Sequence, residues 1–494
     1  MVSGTAGMYG MMYARGHPSI FDEWAKMGNK GWSYAEIEKY FERAEYPINN
    51  KLFKNGLFRS LKNNGPMVID YFSHSPEFSK DILLAATELG YRISSLRGRS
   101  QAGFMIAPML TENGLRGTTV KYYLKSMKNQ KNLKVLTNTH VSKIIFDSWS
   151  DRAIGIEVLD KNNEAKIIMA SKEIILTAGA IGSPQILLQS GIGPKEDLEK
   201  LNIKVIKNLP VGKNLQNHVS VSVKMSIEDT NYESISVDAV NEFLLNRSGP
   251  LASTGLTQLT GFIETSFAKK GVPDIQVFFD GFSSECVKTG LKNECQDGSI
   301  EKCPTRREII IRPTVVNAKS KGYLKLNSTN PLEHPLIYPN YFTHKNDIEV
   351  LLEGIKKVIE FTKTDAMKKW DLKLENSNHQ WCSRFVTNEF WSAIKTFTCI
   401  ILFFRFNFGS DEYWKCLIRA KTGPENHQSG TCKMGPESKL DSVVDSYLKV
   451  HGIPNLRVAD ASIFPILTNA NPVASIIMVA EKASEIIYQS WAHK

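Results

Sequence analysis

One histidine near the carboxyl end of the chain lies in a polar, glycine-containing segment that could carry acid–base chemistry. The segment reads Gly423-Pro-Glu-Asn-His427-Gln-Ser-Gly-Thr-Cys-Lys-Met-Gly435. Histidine is the side chain whose ordinary pKa lies nearest to neutral pH, so His427 could serve as a catalytic base poised near neutrality. Residue type alone favours a structural role, because most single histidines in polar loops are structural. The surrounding motifs must therefore decide between the two roles.

A second candidate, Asn471, stands directly before Pro472 and an apolar repeat that predicts an amphipathic helix. Its amide could hold a substrate oxygen while His427 takes the proton. It could equally cap the helix, because Asn followed by Pro is a favourable N-terminal pair. Both roles can hold together, since the helix would then aim the positive end of its dipole at the site.

A third feature is a turn of small residues between a predicted strand, 173–177, and a predicted helix. Ser183 is expected to cap this helix, with Pro184 as its first residue and Gly191 at its end. Such a turn lets backbone amides approach a dinucleotide closely. Taken alone, it is equally compatible with an ordinary tight turn.

The elements that must position these residues follow from hydrophobic period and capping. Ser33 and Glu36 form a capping box that predicts a helix as far as Arg43. Apolar and β-branched periodicity predicts further elements. They are a β-meander over 141–146, 153–159 and 167–177 with a buried last strand, strands at 275–279, 308–312 and 455–458, and a helix over 347–362.

Composition narrows the class of protein. The chain has 494 residues, 42% of them hydrophobic, and a net charge of +10. Its basic residues are scattered among acidic ones, which predicts a solvated basic surface and no nucleic-acid partner. No apolar stretch approaches the roughly 20 residues of a membrane span. The seven cysteines show no metal-binding spacing, so no metal site is expected.

Two weak clues favour an extracellular protein. Cys286, Cys295 and Cys303 cluster in a polar loop, as in disulfide-bonded secreted chains. Asn246 and Asn327 each begin an N-x-S/T glycosylation sequence. Together they predict secretion, with any signal peptide lying upstream of the present start.

Three motifs together resemble the glucose-methanol-choline (GMC) oxidoreductases over nearly the whole chain. The run 177–194, with Leu209-Pro-Val-Gly-Lys-Asn-Leu-Gln-Asn-His218 after it, resembles the second signature of that family. Gly4-Thr-Ala-Gly-Met-Tyr-Gly-Met-Met-Tyr-Ala-Arg-Gly16 is similar to the first, with Tyr9 where the family usually has asparagine. The His427 segment resembles the family's histidine motif, and the stretch 443–465 resembles the conserved segment after that motif.

The resemblance implies a mixed α/β (α+β) fold in which a Rossmann-like FAD-binding domain is interleaved with a substrate domain on a largely antiparallel sheet. The expected divisions are 1–216, 217–424 and 425–494. The strand, GxGxxG turn and helix that open such a domain are not found in the sequence. We therefore expect a truncated FAD domain, and weak or no FAD binding by the chain as given.

The resemblance also implies the site residues. His427 becomes the base, and the second active-site position falls on Asn471 or, counted without a gap, on Val473. Met8, Met11, Met12 and Tyr13 would otherwise be core packing. Expected cofactor contacts come from Gly4, Thr5, Val141, Gly179, Asp460, Ala461, Pro472 and Val473.

The implied activity is oxidation of a CH–OH group of an alcohol or sugar, with hydride passing to flavin N5. The chain looks most like the insect glucose dehydrogenases, which use a quinone acceptor; glucose, another polyol, a sterol and choline all remain open as substrate. A catalytically inactive, secreted ligand-binding remnant without FAD is the alternative. An NAD-dependent enzyme is disfavoured, since no second nucleotide fingerprint is found.

The resemblance predicts no segment equivalent to residues 383–406. The Phe- and Ile-rich end of this segment suggests a translated intron. An amphipathic lid or membrane-touching segment is the alternative. If the segment is spurious, Cys382 and Cys416 come close in sequence and are the first disulfide expected, with Cys399 adventitious.

Overall fold

The structure, a computed structural model, describes residues 2–48, 65–93, 101–229, 236–282, 306–376, 382 and 408–492. The fold and the sites are built from those residues. The predicted insert at 383–406 and the cysteine cluster at 286, 295 and 303 lie outside them.

An antiparallel sheet of eight strands forms the larger of the two layers. The predicted strands at 275–279 and 308–312 are both present and extend to Ile275–Asp280 and Arg306–Val315. The first strand of this sheet in the chain, Gly103–Ile106, lies far upstream of the rest, inside the range 1–216 that was expected to belong to the FAD-binding domain. The other strands are Leu259–Ile263, Val223–Glu228, Lys373–Leu374, Val219–Ser220 and Gly423–Pro424.

Helices cover one face of this sheet and bury its apolar side chains. The predicted helix at 347–362 is Lys345–Ile359, continued by the short 3-10 turn Glu360–Lys363. It packs against Arg306–Val315 and against the helix Asp411–Lys421. The disulfide Cys382–Cys416 ties the latter helix to the chain before it, so the expected pair is confirmed.

The predicted β-meander is His140–Phe146, Ala153–Leu159 and Ala165–Met169. Its expected last strand is separate. Ile174–Leu176 pairs in parallel with Leu456–Val458, so a segment from the first half of the chain meets one near its carboxyl end. The expectation that this strand is buried holds for one face only, because Ile175 is 39% exposed.

The amino-terminal helices pack on the carboxyl-terminal one. Ser33 N and Ser33 Oγ donate to Glu36 Oε2 over 3.0 and 2.6 Å, which confirms the capping box that opens Tyr34–Ala44. The helix Tyr34–Ala44 contacts the long C-terminal helix Val473–Trp491. The helix Pro18–Lys26 packs against Tyr34–Ala44.

The helix after the small-residue turn begins earlier than predicted. It runs over Gly179–Gln189, so Pro184 lies inside it. A proline lacks the N–H that would bond to the carbonyl four residues back. Here Thr431 Oγ1 donates to that carbonyl, Ala180 O, over 2.6 Å. Ser183 is thus not the residue at which the helix starts, although its Oγ accepts from Ala178 N over 3.0 Å.

Short elements complete the fold. The remaining helices are Phe78–Glu88, Lys195–Glu199, Val237–Asn246 and Asp365–Lys368. The remaining strands pair as Glu45–Pro47 with Met67–Ile69, Thr111–Glu112 with Leu115–Arg116, Ile192–Gly193 with Lys207–Asn208, and Tyr323–Lys325 with Leu336–Tyr338. In the described ranges, none of the helices has the length and apolar character needed to cross a bilayer. The divisions at 216 and 424 stay predictions.

Candidate active site

A cleft of ≈ 520 Å³ lies between the amino-terminal loop, the small-residue turn and the start of the C-terminal helix. It brings together nearly all the predicted site residues. Those in its wall are Gly4, Thr5, Gly179, His427, Asp460, Ala461, Asn471, Pro472 and Val473. Val141 is not in the wall; it pairs with Val158 on the meander, and its adenine contact stays a prediction.

His427 is fixed in the cleft wall by both its backbone and its ring. Its backbone N–H donates to Asn217 Oδ1 over 2.8 Å. One ring nitrogen, Nε2, lies 3.4 Å from Asn471 Nδ2. The other, Nδ1, lies 2.9 Å from Nδ1 of His218, a ring buried behind the cleft. His427 therefore has one nitrogen toward the cleft and one toward the protein interior.

Asn471 does not cap the C-terminal helix, so the predicted capping role is wrong. The residue before the helix is Pro472, and no side chain caps it. The Asn471 amide instead bridges His427 and Gln276, whose Nε2 donates to Asn471 Oδ1 over 3.0 Å. Long-range polar partners hold the side chain away from the helix start. Between the two positions left open, Asn471 is the one with a polar group on His427.

The orientation of the Asn471 amide can be followed back to a backbone carbonyl. Thr260 Oγ1 donates to Val277 O over 3.0 Å, so its own hydrogen is used. Gln276 Nε2 must then donate to Thr260 Oγ1, at 3.1 Å, as well as to Asn471. Asn471 Oδ1 accepts that hydrogen, which turns its NH₂ group toward His427. Nε2 of His427 consequently carries a lone pair facing the cleft.

The near-neutral pKa expected for His427 is not what its surroundings produce. Burial, together with the positive charge of Arg312, lowers the pKa of His427 to about 3. Burial also holds the pKa of His218 well below its usual value, and the neighbouring His427 and Lys321 act in the same direction. Both rings are therefore neutral at physiological pH, and Nε2 of His427 keeps its lone pair, which accepts a long hydrogen bond from Asn471.

A cluster of charges flanks the histidine on the side of the eight-stranded sheet. Arg312 donates to Asp280 Oδ2 and to Glu425 Oε1, each over 2.6 Å. Ser220 Oγ also donates to Glu425. The ion pairs hold the guanidinium near His427 and over the ring of Phe278, 5.4 Å from its centroid. A fixed cation close to the base disfavours a protonated imidazole there.

Two helix starts in the cleft suit the anionic parts of a dinucleotide. The helices Gly179–Gln189 and Val473–Trp491 begin in its wall, where the positive ends of their dipoles favour negative charge. Gly179 has φ +81°, and a Cβ there would meet no protein atom within 4 Å, so its backbone stays open to a ligand. Asp460 holds this turn, because its Oδ2 accepts from Gly179 N over 2.9 Å and from Ser183 Oγ over 2.5 Å. The residues present thus fit part of a flavin dinucleotide, and the weak FAD binding expected without a GxGxxG turn stays a prediction.

The amino-terminal loop lines the cleft as well as packing the core. Met11 and Met12 are buried and also face the cleft, so the two interpretations of these residues are compatible. Met8 is 67% exposed and is not core. Tyr9 Oη donates to Gly117 O over 2.9 Å, which anchors the loop beside Gly4.

Sequence reasoning missed Gln276, Arg312 and the role of His218. One signal was available for Gln276, since it is a polar residue within the otherwise apolar run Ile-Gln-Val-Phe-Phe of a buried strand. His218 ends a quoted motif, but nothing local indicates that it contacts a residue 209 positions away.

A dinucleotide cleft with a histidine and an amide at its inner end defines a flavin-dependent oxidoreductase. Two family models, both described as GMC oxidoreductase, match residues 1–220 and 318–480. The chain belongs to this family, and FAD is the cofactor that membership implies.

Curated relatives and solved structures agree with this assignment. The chain is 36% identical to a protein named glucose dehydrogenase [FAD, quinone] from Drosophila melanogaster, over all of this chain and 75% of that one. It is 31% identical to mitochondrial choline dehydrogenase from Mus musculus, over 98% of this chain and 74% of the relative. A structure of Aspergillus oryzae formate oxidase, 22% identical, covers 99% of this chain, with 84% of its own length matched, at a TM-score of 0.82. This last likeness bears on the fold.

Proposed function

We propose that the chain oxidises a CH–OH group of an alcohol or sugar, with His427 as the base. The observation that carries this proposal is the pair formed by His427 Nε2 and Asn471 Nδ2, 3.4 Å apart in the wall of the cleft. A substrate hydroxyl that lies beside both atoms, within hydrogen-bonding reach of each, can donate its proton to the imidazole in place of the Asn471 contact. The same hydroxyl oxygen can accept a hydrogen from the Asn471 amide.

Each protein group has a defined share of the reaction. The neutral His427 accepts the hydroxyl proton at Nε2, whose lone pair is directed by Asn471 and Gln276. Asn471 positions the oxygen as the carbonyl forms. Bound FAD supplies the hydride acceptor. The C-terminal helix begins at Val473 with the positive end of its dipole at the cleft. There it would stabilise the negative charge that a bound flavin gains on reduction.

The test is anaerobic mixing of the FAD-loaded chain with candidate substrates while the visible flavin absorption is followed. Glucose, a second polyol, choline and a sterol separate the substrate classes. His427→Ala should slow bleaching by ~10²- to 10⁴-fold while the flavin stays bound, the usual effect of losing a general base. His334→Ala, at an exposed histidine away from the cleft, is the matched control.

Wild-type rates in His427→Ala would remove this residue from the mechanism. Protein that takes up no flavin, with no visible bands after incubation with FAD, would favour the non-catalytic ligand-binding alternative.

A quinone is the acceptor we propose for the second half of the reaction. The support is that the Drosophila melanogaster relative is named glucose dehydrogenase [FAD, quinone]. Reduced enzyme mixed with a soluble quinone should regain its flavin spectrum faster than with dissolved oxygen. Faster reaction with oxygen would make the protein an oxidase.

An extracellular location is also proposed. Its support is the disulfide Cys382–Cys416 and the exposure of both Asn246 and Asn327, each within a glycosylation sequence. Protein secreted from eukaryotic cells should lose mass on treatment with an N-glycosidase. Intracellular retention without glycan would contradict the proposal.

A further inference from the structure

Two histidines separate the cleft from a second cavity. His427 lies in the wall of the cleft, and His218 lies in the wall of a cavity of ≈ 400 Å³ on the other side. Residues Val316, Lys321 and Leu467 also line this second cavity. The two imidazoles meet with their Nδ1 atoms 2.9 Å apart and their planes at 87°. The pair is thus a hydrogen-bonded connection between two spaces.

The amide orientations described above give one arrangement of the protons on this pair. The amide chain from Thr260 to Asn471 places a lone pair on Nε2 of His427, so the neutral ring carries its hydrogen on Nδ1. That hydrogen is donated to Nδ1 of His218. His218 is neutral as well, and its own hydrogen must therefore sit on Nε2.

Nε2 of His218 is the end of the connection within the described residues. This nitrogen is buried, and the backbone of Thr468 and Val316 lies within hydrogen-bonding reach of the ring, although the geometry is not ideal. His218 also lines the second cavity, but Nε2 itself has no exposed surface, so the ring must shift slightly for water in the cavity to accept its proton.

We propose that His218 relays the substrate proton from His427 to the second cavity. The hydroxyl O–H of the substrate breaks as His427 Nε2 gains the proton. The Nδ1–H of His427 breaks as His218 Nδ1 gains that proton, and the Nε2–H of His218 breaks as water in the cavity takes the last one. Bound flavin would accept the hydride from the substrate carbon. In the next half-reaction His427 gives up its Nε2 proton to the acceptor, His427 Nδ1 regains a proton from His218, and His218 Nε2 regains one from the cavity, which resets both rings.

Charge explains why a relay suits this site. Burial and Arg312 keep the pKa of His427 low, and burial and Lys321 keep that of His218 low, so a positive charge on either ring is unfavourable. A proton that moves on as it arrives leaves both rings neutral. The relay rests on the proposed function, since it starts from the proton that His427 takes.

The experiment compares His218→Asn with His218→Phe. The asparagine Oδ1 can occupy the position of Nδ1 and accept the hydrogen of His427, but an amide cannot pass a proton onward. Phenylalanine removes both functions. A relay predicts that both variants slow anaerobic flavin reduction by about tenfold or more, while KM for the substrate changes little. A wild-type rate in His218→Asn would overturn the relay and leave only an orienting role.

Two further measurements keep the inference independent of folding and of the proposed substrate. Nitrogen NMR of the histidine-labelled chain, without cofactor, should show His427 protonated on Nδ1 and His218 on Nε2; any other pair of tautomers refutes the arrangement. In wild-type enzyme, the rate of flavin reduction in H₂O–D₂O mixtures should depend on deuterium content with the curvature of more than one moving proton. A linear dependence contradicts the relay. If no alcohol reduces the flavin, the proposed function fails, whereas the NMR result still stands on its own.

Discussion

Gln276 and Asn471 lie 195 positions apart in the chain, yet the amide nitrogen of the first is 3.0 Å from the amide oxygen of the second. The contact joins the middle of the large sheet to the start of the C-terminal helix. Because an amide has one donor side and one acceptor side, this bond decides which side Asn471 turns to His427. Gln276, which does not line the cleft, thereby determines which ring nitrogen of His427 carries the hydrogen.

Gln276→Met should test this dependence. Methionine has a similar length but no donor, so Asn471 can turn its oxygen to His427 and favour a hydrogen on Nε2. We expect the rate of substrate oxidation to fall by about tenfold with FAD binding retained. Steady-state and anaerobic flavin-reduction kinetics provide the measurement.

The matched control is Gln258→Met, at another fully buried glutamine, whose Nε2 donates to His74 O. Gln276→Met removes the hydrogen bonds to Thr260 and Asn471, and Gln258→Met removes one, each worth about 1 kcal/mol. Both variants should therefore lose stability, Gln276→Met somewhat more, and only Gln276→Met should lose activity. Equal losses of activity would attribute the effect to the fold.

The low pKa of His427 predicts an acid-sensitive fold. Its folded pKa is about 3, against an ordinary value of 6.5. Between these values the unfolded chain binds the proton and the folded chain does not, so stability is lost as the pH falls through this window. The loss is about 1.4 kcal/mol per pH unit for each such histidine. Arg312 and Lys321 face the pair with positive charge, and Glu425 lies beside Arg312.

Urea unfolding at pH 6.5 and 5.5 should therefore show a smaller loss of stability in His427→Asn than in wild type. His334→Asn, at an exposed position, should behave as wild type. An unchanged pH dependence in His427→Asn would mean that this ring is protonated in the folded protein as readily as in the unfolded chain.

Asp460→Asn should weaken the cofactor end of the cleft. Asp460 Oδ2 accepts from both Gly179 N and Ser183 Oγ, and Oδ1 accepts from Ser462 N over 2.8 Å. An amide can accept on one side only, so at least one of these bonds is lost and the turn loosens. We expect a higher Kd for FAD by fluorescence titration and a lower Tm. Asp411→Asn, in an exposed ion pair with Lys356, serves as the control and should change neither.

Local signals in the sequence were enough for elements whose causes are local. The capping box at Ser33 and Glu36 and the apolar strands at Ile275–Asp280 and Leu456–Val458 were predictable from neighbouring residues. The residues of the cleft were predicted from their resemblance to the motifs of the family. The partner of Asn471 was not predictable, because an Asn-Pro pair predicts a cap and the competing donor lies in a distant strand.

A distant partner also explains the misplaced start of the helix Gly179–Gln189. Proline is favoured at a first helical position, and that preference placed the start at Pro184. The observed helix tolerates an interior proline because Thr431, from the histidine loop, satisfies the carbonyl of Ala180. A pattern confined to one segment cannot reveal a substitute donor 251 positions away.

The hydrogen bond between Thr431 and Ala180 can be tested by a double-mutant cycle. Thr431 is fully buried, and its Oγ1 donates to Ala180 O over 2.6 Å because Pro184 has no N–H to offer. Thr431→Val should leave that carbonyl unpaired and cost about 1 to 3 kcal/mol of unfolding free energy. In a Pro184→Ala background the helix supplies its own N–H to Ala180 O, so the same threonine substitution should cost less. The difference between the two costs, measured by urea unfolding, is the coupling between the proline and the threonine. Equal costs in both backgrounds would show that the threonine hydroxyl does not replace the missing helical bond.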